Sequence, residues 1–440
     1  MLDLLIILSS FILIHSGIKN LRHPITIIKR KMEKKKRSIT PVLMRHHVLR
    51  TRIKGLVELM LALFILLSVR FSIGWQEKPQ VTMLIGEGTP DLPYATIIET
   101  FAKDHNIPGL VVGVIDQDHT VLYGYGYKHY ALFKKESPVD AQTLFEIGSI
   151  SKVFTGLMLA EAVQSGKLDL QMPVAALLEN RTEKNVLLDP EITLERLATH
   201  TSGLPSIPLT LPTLINLSTL GFTRGNPYKT ISEQVMLDYL ANVQKTPATE
   251  RAFRYSNYGF GLLGLVIAHH YGMTYEDTMR QTITNRLGMD NTLVQADKIK
   301  KKQMASGHHS FIRLGRLNIG RQSQYWDMHD AMAGCGGIRS SGEDLLKFLT
   351  GLIEQELPFS ILSQQPLFSI NDHLAIGLAW LLQDNVVPNH RVIWHNGQTG
   401  GFNSYLGLIE NERKGLFILS SLATTDVQPL GEELLRQMSN

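Results

Sequence analysis

Apolar and polar positions along this chain follow two periods. Gly109 to Ile115 and Thr120 to Tyr127 read as strands around the polar turn Asp116-Gln117-Asp118. Ser404 to Ile409 and Gly415 to Ser421 repeat that pattern around Asn411-Glu412-Arg413. Tyr94 to His105 and Pro429 to Met438 carry helical spacing instead. Between these ends, Lys152 to Phe348 reads mainly as helix and loop. The pattern predicts an α+β fold: an antiparallel sheet built from both ends of the body and flanked by helices. A mainly helical region, roughly 170–330, is inserted between them. The body itself is expected to run over 75–440.

Residues 1–74 read differently, as a basic arm with signal or anchor segments. Two apolar runs lie there, Leu4 to Ile14 and Leu56 to Ile73. The first is shorter than the ~20 residues that a spanning helix needs, and the second nearly reaches that length. Arg50, Arg52 and Lys54 precede the second run directly. Positive flanks stay cytoplasmic, so the body is expected outside the cytoplasm, membrane-anchored or released. Three arrangements fit: a retained anchor, a leader cleaved near Ser72-Ile73-Gly74, or a hairpin of both runs with the basic loop inside. A translation start at Met32 or Met44 would leave a shorter leader.

Charge sharpens this division. The formal net charge is +4, but Lys19 to Lys54 alone holds about a dozen more Lys and Arg than acids. From Trp75 onward the chain is mildly acidic, which gives no reason to expect a nucleic-acid partner. A single cysteine, Cys335, excludes an intrachain disulfide and a cysteine metal cluster. Set among glycines, it reads as a small buried filler. No His-Glu-x-x-His occurs, and His46-His47, His269-His270 and His308-His309 read as surface or helix residues. No metal or cofactor is expected.

The candidate chemistry begins at Phe145-Glu146-Ile147-Gly148-Ser149-Ile150-Ser151-Lys152. An apolar helix pattern follows, to about Gly166. Positions i and i+3 share a helix face, so Ser149 and Lys152 can meet. A serine hydroxyl needs a base, and a partly desolvated lysine can serve as one. Ser-x-x-Lys alone says little, since Ser16-Gly17-Ile18-Lys19 repeats it inside the arm. Two further groups follow in order. Tyr255-Ser256-Asn257 offers a phenol and a neutral amide, and His395-Asn396-Gly397 offers a strand that a substrate backbone can approach closely.

In that order the three groups resemble the penicillin-recognising serine hydrolases, in the branch holding class C β-lactamases, DD-peptidases and related esterases. His200-Thr201-Ser202-Gly203-Leu204-Pro205, Arg286-Leu287-Gly288-Met289 and Ala333-Gly334-Cys335-Gly336-Gly337 resemble further signatures of that family. Arg286 stands where a proline is usual. The resemblance covers about Tyr94 to Met438. It implies Ser149 as nucleophile, with Lys152 and Tyr255 sharing the proton traffic. Asn257 would hold a substrate amide, and the backbone N–H groups of Ser149 and Gln398 would stabilise the oxyanion. His395, Gln398 and Thr399 would complete the substrate-binding set. The expected substrates are a β-lactam or a peptidoglycan-type D-Ala-D-Ala peptide, with small esters or slow deacylation as the alternatives. His395 occupies a position where lysine is usual in β-lactamases. A histidine near its ordinary pKa of ~6.5 predicts weaker, pH-dependent recognition of a substrate carboxylate.

Overall fold

The computed structural model describes residues 2–34, 40–68, 70–75, 78–86, 93–130, 137–178, 189–223, 225–242, 252–328 and 330–439. The chain forms two compact units, Met1–Phe71 and Ser72–Asn440. The first consists of helices Leu2–Arg22, Pro24–Lys34 and Pro41–Ser68. Asn20 Nδ2 donates to Glu58 Oε2 at 2.9 Å, a polar tie between the first and third of these. Phe11, Ile12, Val57 and Met60 are exposed. The run expected over Leu56 to Ile73 is divided: its helix ends at Ser68, and Arg70–Trp75 is extended. Among the described residues no helix is long and apolar enough to cross a membrane.

The second unit is organised by a nine-stranded sheet. In chain order its strands are β1 (Val81–Ile85), β2 (Gly109–Asp116), β3 (His119–Gly126), β4 (Phe368–Asn371), β5 (Leu374–Ile376), β6 (Leu381–Val387), β7 (His390–Gln398), β8 (Asn403–Ile409) and β9 (Lys414–Ser420). They lie side by side as β1-β3-β2-β9-β8-β7-β6-β5-β4, and every pairing is antiparallel. The pairing of Val114 with Leu416 and Val112 with Ile418 joins the two ends of the body, as the alternating segments predict.

Period-two alternation divides the strand side chains between two cores. Leu110, Val112, Val114, Leu416 and Ile418 face one core, which α1 (Pro93–Asp104) and the C-terminal helix Gln428–Met438 cover. Val111, Ile115, Phe417 and Leu419 face the other, which holds α2 (Ser151–Gln164), α3 (Asn257–Tyr271) and α4 (Gly342–Ile353). The result is an antiparallel sheet with helices on both faces. Most of α2 is buried on every side, because Val153, Phe154, Leu157, Met158 and Leu159 leave it no polar stripe. Ser341 caps α4 by accepting from Asp344 N at 3.2 Å.

Two features depart from the expected pattern. Strands β4 to β6 extend the sheet beyond the segments that alternate clearly. A hairpin, His308–Leu314 with Leu317–Gln322, lies inside the region expected to be helical. His308 is fully buried rather than on the surface.

Candidate active site

Ser149 is positioned by a short turn. Strand Leu144–Glu146 pairs with Arg339–Ser341, and Ile147 N donates to Ile338 O at 3.1 Å. Gly148 then adopts φ +52°, a left-handed conformation open to glycine. A single turn, Gly148–Ile150, leads into α2 at Ser151. Ser149 therefore precedes the helix, with Lys152 three residues on and fully buried.

The Lys152 ammonium has three N–H groups and three acceptors: Ser149 Oγ at 2.9 Å, Asn257 Oδ1 at 2.7 Å and Cys335 O at 2.7 Å. Burial of this cation is tolerable because each donor is matched. Ser256 brings the Tyr255 motif to the same place. It is the N-cap of α3, accepting from Gly259 N at 2.8 Å and donating to Pro205 O at 2.7 Å. Asn257 then occupies the first helical position and Tyr255 the residue before the cap. Asn257 Nδ2 donates to Tyr228 Oη at 2.7 Å, which fixes its Oδ1 toward Lys152. The Tyr255 ring centroid is 4.8 Å from Lys152 Nζ and 4.3 Å from the His200 ring. His200 is held by Ser256 N, which donates to its Nδ1 at 3.0 Å.

The other wall is the end of β7. Its pairing with β6 stops at Leu381–Trp394, so residues 395–398 project past that neighbour. Close approach to the Ser149 turn depends on two glycines. A Cβ on Gly397 would lie 2.1 Å from Ile147 O and 2.9 Å from Ser149 N, and one on Gly148 would lie 2.6 Å from Gln398 N. The two amide nitrogens expected to form an oxyanion hole therefore meet at one seam.

A cavity of about 500 Å³ opens over these groups. Ser149, Tyr255, Asn257 and Gln398 all line it. His395 and Thr399 lie behind its wall. His395 is 1% exposed and shares the core-facing side of β7 with Ile393, while Asn396 takes the cavity-lining place. Its Nδ1 donates to Asn396 O at 2.5 Å. Burial first, and then the Lys152 charge, push its pKa down to about 3. The expected titration near neutrality is therefore corrected: His395 is neutral throughout that range. Thr399 is 4% exposed, its N–H closes a turn on Phe402 O, and its side chain stands beside Glu146. The strand has ended at Gln398, and that turn carries Thr399 inward. Cys335 is buried as expected, and burial raises its thiol pKa to about 11.

A glycine-shaped nucleophile turn, a lysine with three acceptors and a phenol beside that lysine form one constellation, and a model of the beta-lactamase family matches residues 95–437. The chain belongs to the beta-lactamase family. Over 372 residues it is 25% identical to a beta-lactamase of Escherichia coli (strain K12), covering 75% of this chain and 88% of that one. Penicillin-binding protein 4* of Bacillus subtilis (strain 168) is 27% identical over 344 residues, covering 74% of this chain and 70% of that protein. A crystal structure of a class C beta-lactamase in complex with cefoxitin superposes with a TM-score of 0.62. It is 21% identical and covers 79% of this chain and 97% of that one. This protein is a beta-lactamase-like serine hydrolase, and its fold is that of class C beta-lactamases.

Sequence reasoning gave no residue role to three parts of this beta-lactamase-family site, although the loops around Leu209 to Tyr228 and Ser306 to Trp326 read as shaping its pocket. Tyr228 and Trp326 form an aromatic side of the cavity, with ring centroids 5.7 Å apart. Both come from loops without periodicity. His200 was visible only as part of a motif. Asn396 adjoined a predicted residue, and strict alternation along β7 was the signal that could have found it.

Proposed function

We propose that this protein transfers the acyl group of a β-lactam or a D-Ala-D-Ala peptide to Ser149 and then to water. The observation that carries this reading is the Lys152 ammonium, which joins Ser149 Oγ to Asn257 Oδ1 at the cavity. Lys152 and Tyr255 share the proton traffic, since Lys152 Nζ lies 2.9 Å from Ser149 Oγ and the Tyr255 ring centroid lies 4.8 Å from that Nζ. As Oγ attacks the carbonyl its proton passes to this pair, and the Tyr255 hydroxyl gives its own proton to the departing nitrogen as the carbon–nitrogen bond breaks. Lys152 stabilises the negative charge that develops, and the N–H groups of Ser149 and Gln398 receive the oxyanion. Two such donors can each contribute ~3 kcal/mol. Water attack on the ester, with the proton path reversed, frees Ser149.

The names of the relatives support a lactam or peptide substrate. The test is a side-by-side assay of nitrocefin, a D-Ala-D-Ala peptide and a p-nitrophenyl ester, with fluorescent penicillin labelling and Ser149→Ala as control. Label that forms and clears with nitrocefin turnover marks a β-lactamase. Lasting label marks a slow-deacylating penicillin binder, and ester turnover without label marks an esterase. Activity that survives Ser149→Ala refutes the assignment.

Residues 1–74 are proposed to carry the body across the cytoplasmic membrane, and either to anchor it or to be removed. The basic residues before Leu56 support this orientation, and the exposed apolar side chains of Val57, Met60 and Leu63 support contact with lipid. Fractionation with an alkaline carbonate wash tests it: a body found only in the cytoplasmic soluble fraction refutes it.

A further inference from the structure

Tyr255 lines the cavity, yet its hydroxyl has no hydrogen-bond partner among the described residues. Its direction is therefore set by the backbone on either side and by the packing of its ring. His200 touches all three. Arg254 N donates to His200 O at 2.8 Å, and Ser256 N donates to His200 Nδ1 at 3.0 Å. Between these two anchors the His200 and Tyr255 rings pack with centroids 4.3 Å apart and planes at 38°. Phe260 and Phe253 hold the same imidazole, with centroids at 4.7 Å and 5.7 Å.

The histidine is present against the preference of its own backbone. It follows the helix Leu194–Ala198 and the capping residue Thr199 at φ +57°. Its N–H donates to Leu197 O at 3.3 Å, and Thr201 N donates to Arg196 O at 2.9 Å. That pair of bonds closes a helix through a left-handed residue, the place that glycine suits best. The ring is also buried, with Nε2 lacking a hydrogen-bond partner. Because Nδ1 accepts, the one proton of the neutral ring sits on that unpaired Nε2. Burial first, and then the Lys152 charge, hold the pKa well below its ordinary value, which keeps Nδ1 an acceptor. An unfavoured dihedral and a stranded donor thus meet in one side chain, and what that side chain contributes is its hold on Tyr255 and Ser256.

We propose that His200 is a positioning residue that aims the Tyr255 hydroxyl at the leaving group. This rests on the acyl-transfer reading at Ser149. The step it serves is the breaking of the carbon–nitrogen bond, in which the Tyr255 O–H proton goes to the nitrogen. The proton that Ser149 lost to the Lys152–Tyr255 pair replaces it. An amide nitrogen leaves poorly without that proton, and so does the basic oxygen of phenol. A p-nitrophenolate leaves readily as an anion and has little need of an aimed O–H.

Acylation by fluorescent penicillin is compared with cleavage of a phenyl and a p-nitrophenyl ester of one acyl group. His200→Gly removes the side chain and suits the positive φ. His200→Asn suits it too and restores an acceptor for Ser256 N, but has no ring. His200→Gly is expected to slow penicillin acylation and phenyl ester cleavage about 100-fold, and p-nitrophenyl ester cleavage less than about tenfold. His200→Asn is expected to recover about tenfold of the larger losses. A general folding defect lowers all three rates alike, whereas lost aim changes their ratio. Equal losses on the three substrates, or no loss, refute the positioning role and leave the Ser149 reading standing. If His200→Gly does not fold, His200→Asn decides by the same ratio. Reaction of the wild type with none of the three, or reaction that persists in Ser149→Ala, refutes that reading and this inference with it.

Discussion

Gly397→Ala tests whether the seam between β7 and the Ser149 turn sets the rate. The added Cβ would lie 2.1 Å from Ile147 O, 2.5 Å from Ser404 Oγ and 2.9 Å from Ser149 N. Ordinary contacts begin near 3.4 Å, so the strand and the turn must separate by about 1.3 Å. That separation breaks the 2.8 Å bond from Ser404 Oγ to Ile147 O and moves Ser149 N relative to Gln398 N. A misplacement of ~1 Å can cost ~100-fold in rate. Loss of one oxyanion donor costs ~3 kcal/mol, which gives a similar figure. Overpacking should add ~1–3 kcal/mol of destabilisation. The expected outcome is acylation slowed ~100-fold or more, measured by penicillin labelling and stopped-flow hydrolysis. The protein should remain folded by circular dichroism. Gly166→Ala is the control: it also stands at positive φ, +74°, but a Cβ there meets nothing within 4 Å. It should lower Tm and leave the acylation rate unchanged. Acylation at the wild-type rate in Gly397→Ala, or an equal loss in Gly166→Ala, would refute the seam argument.

His395 should contribute no inflection to the pH–rate profile between about pH 5.5 and 8, because burial holds it neutral there. An inflection near pH 6.5 that disappears in His395→Asn would contradict this. Stability has the opposite sensitivity. His395 and His308 have pKa values pushed down to about 3 and about 4 in the fold, and both return to ~6.5 on unfolding. The unfolded chain then binds more protons below about pH 6.5, so stability falls as pH drops toward 4 and is flat with respect to these groups above 7. The slope is up to ~1.4 kcal/mol per pH unit for each histidine, and urea midpoints for His308→Asn should show a shallower fall than wild type. Arg339→Met should be costly, because Arg339 and Glu146 are buried with Nη2 and Oε1 3.5 Å apart. Stranding the carboxylate costs ~3–5 kcal/mol, and adding Glu146→Leu should recover most of the lost Tm.

The legible parts of this protein are those that short stretches of chain determine. Ser149 and Lys152 are three residues apart on one turn, and Ser256 caps the helix that carries Asn257. Both relations need no distant contact. The joining of β2 to β9 was also legible, because each strand pair alternates around a polar turn. Strands β4 to β6 were not: Phe368–Asn371 is only four residues long with no buried position, Leu381–Val387 mixes exposed and buried positions, and their identity comes from pairing. The hairpin at 308–322 turns on Gly315-Arg316, flanked by strands rich in histidine and arginine that carry little apolar signal.

Side-chain direction on β7 shows why a correctly placed motif still misled. His395 was read as the group that would meet a substrate carboxylate. In an antiparallel pair, neighbours in register share a face. His395 pairs with Leu406, which belongs to the core beneath α2, and Asn396 pairs with Tyr405, which belongs to the core under the last helix. The period of two therefore sends the histidine inward and gives the cavity wall to the asparagine beside it. Knowing which of the two faces the cavity requires knowing what covers each side of the sheet, and those helices lie far away in sequence. The exchange is chemical as well as geometric. A titratable base becomes a buried neutral ring beside Tyr255, and the cavity-lining place goes to an amide that donates to Gln428 Oε1, with Gln428 in turn donating to Glu432.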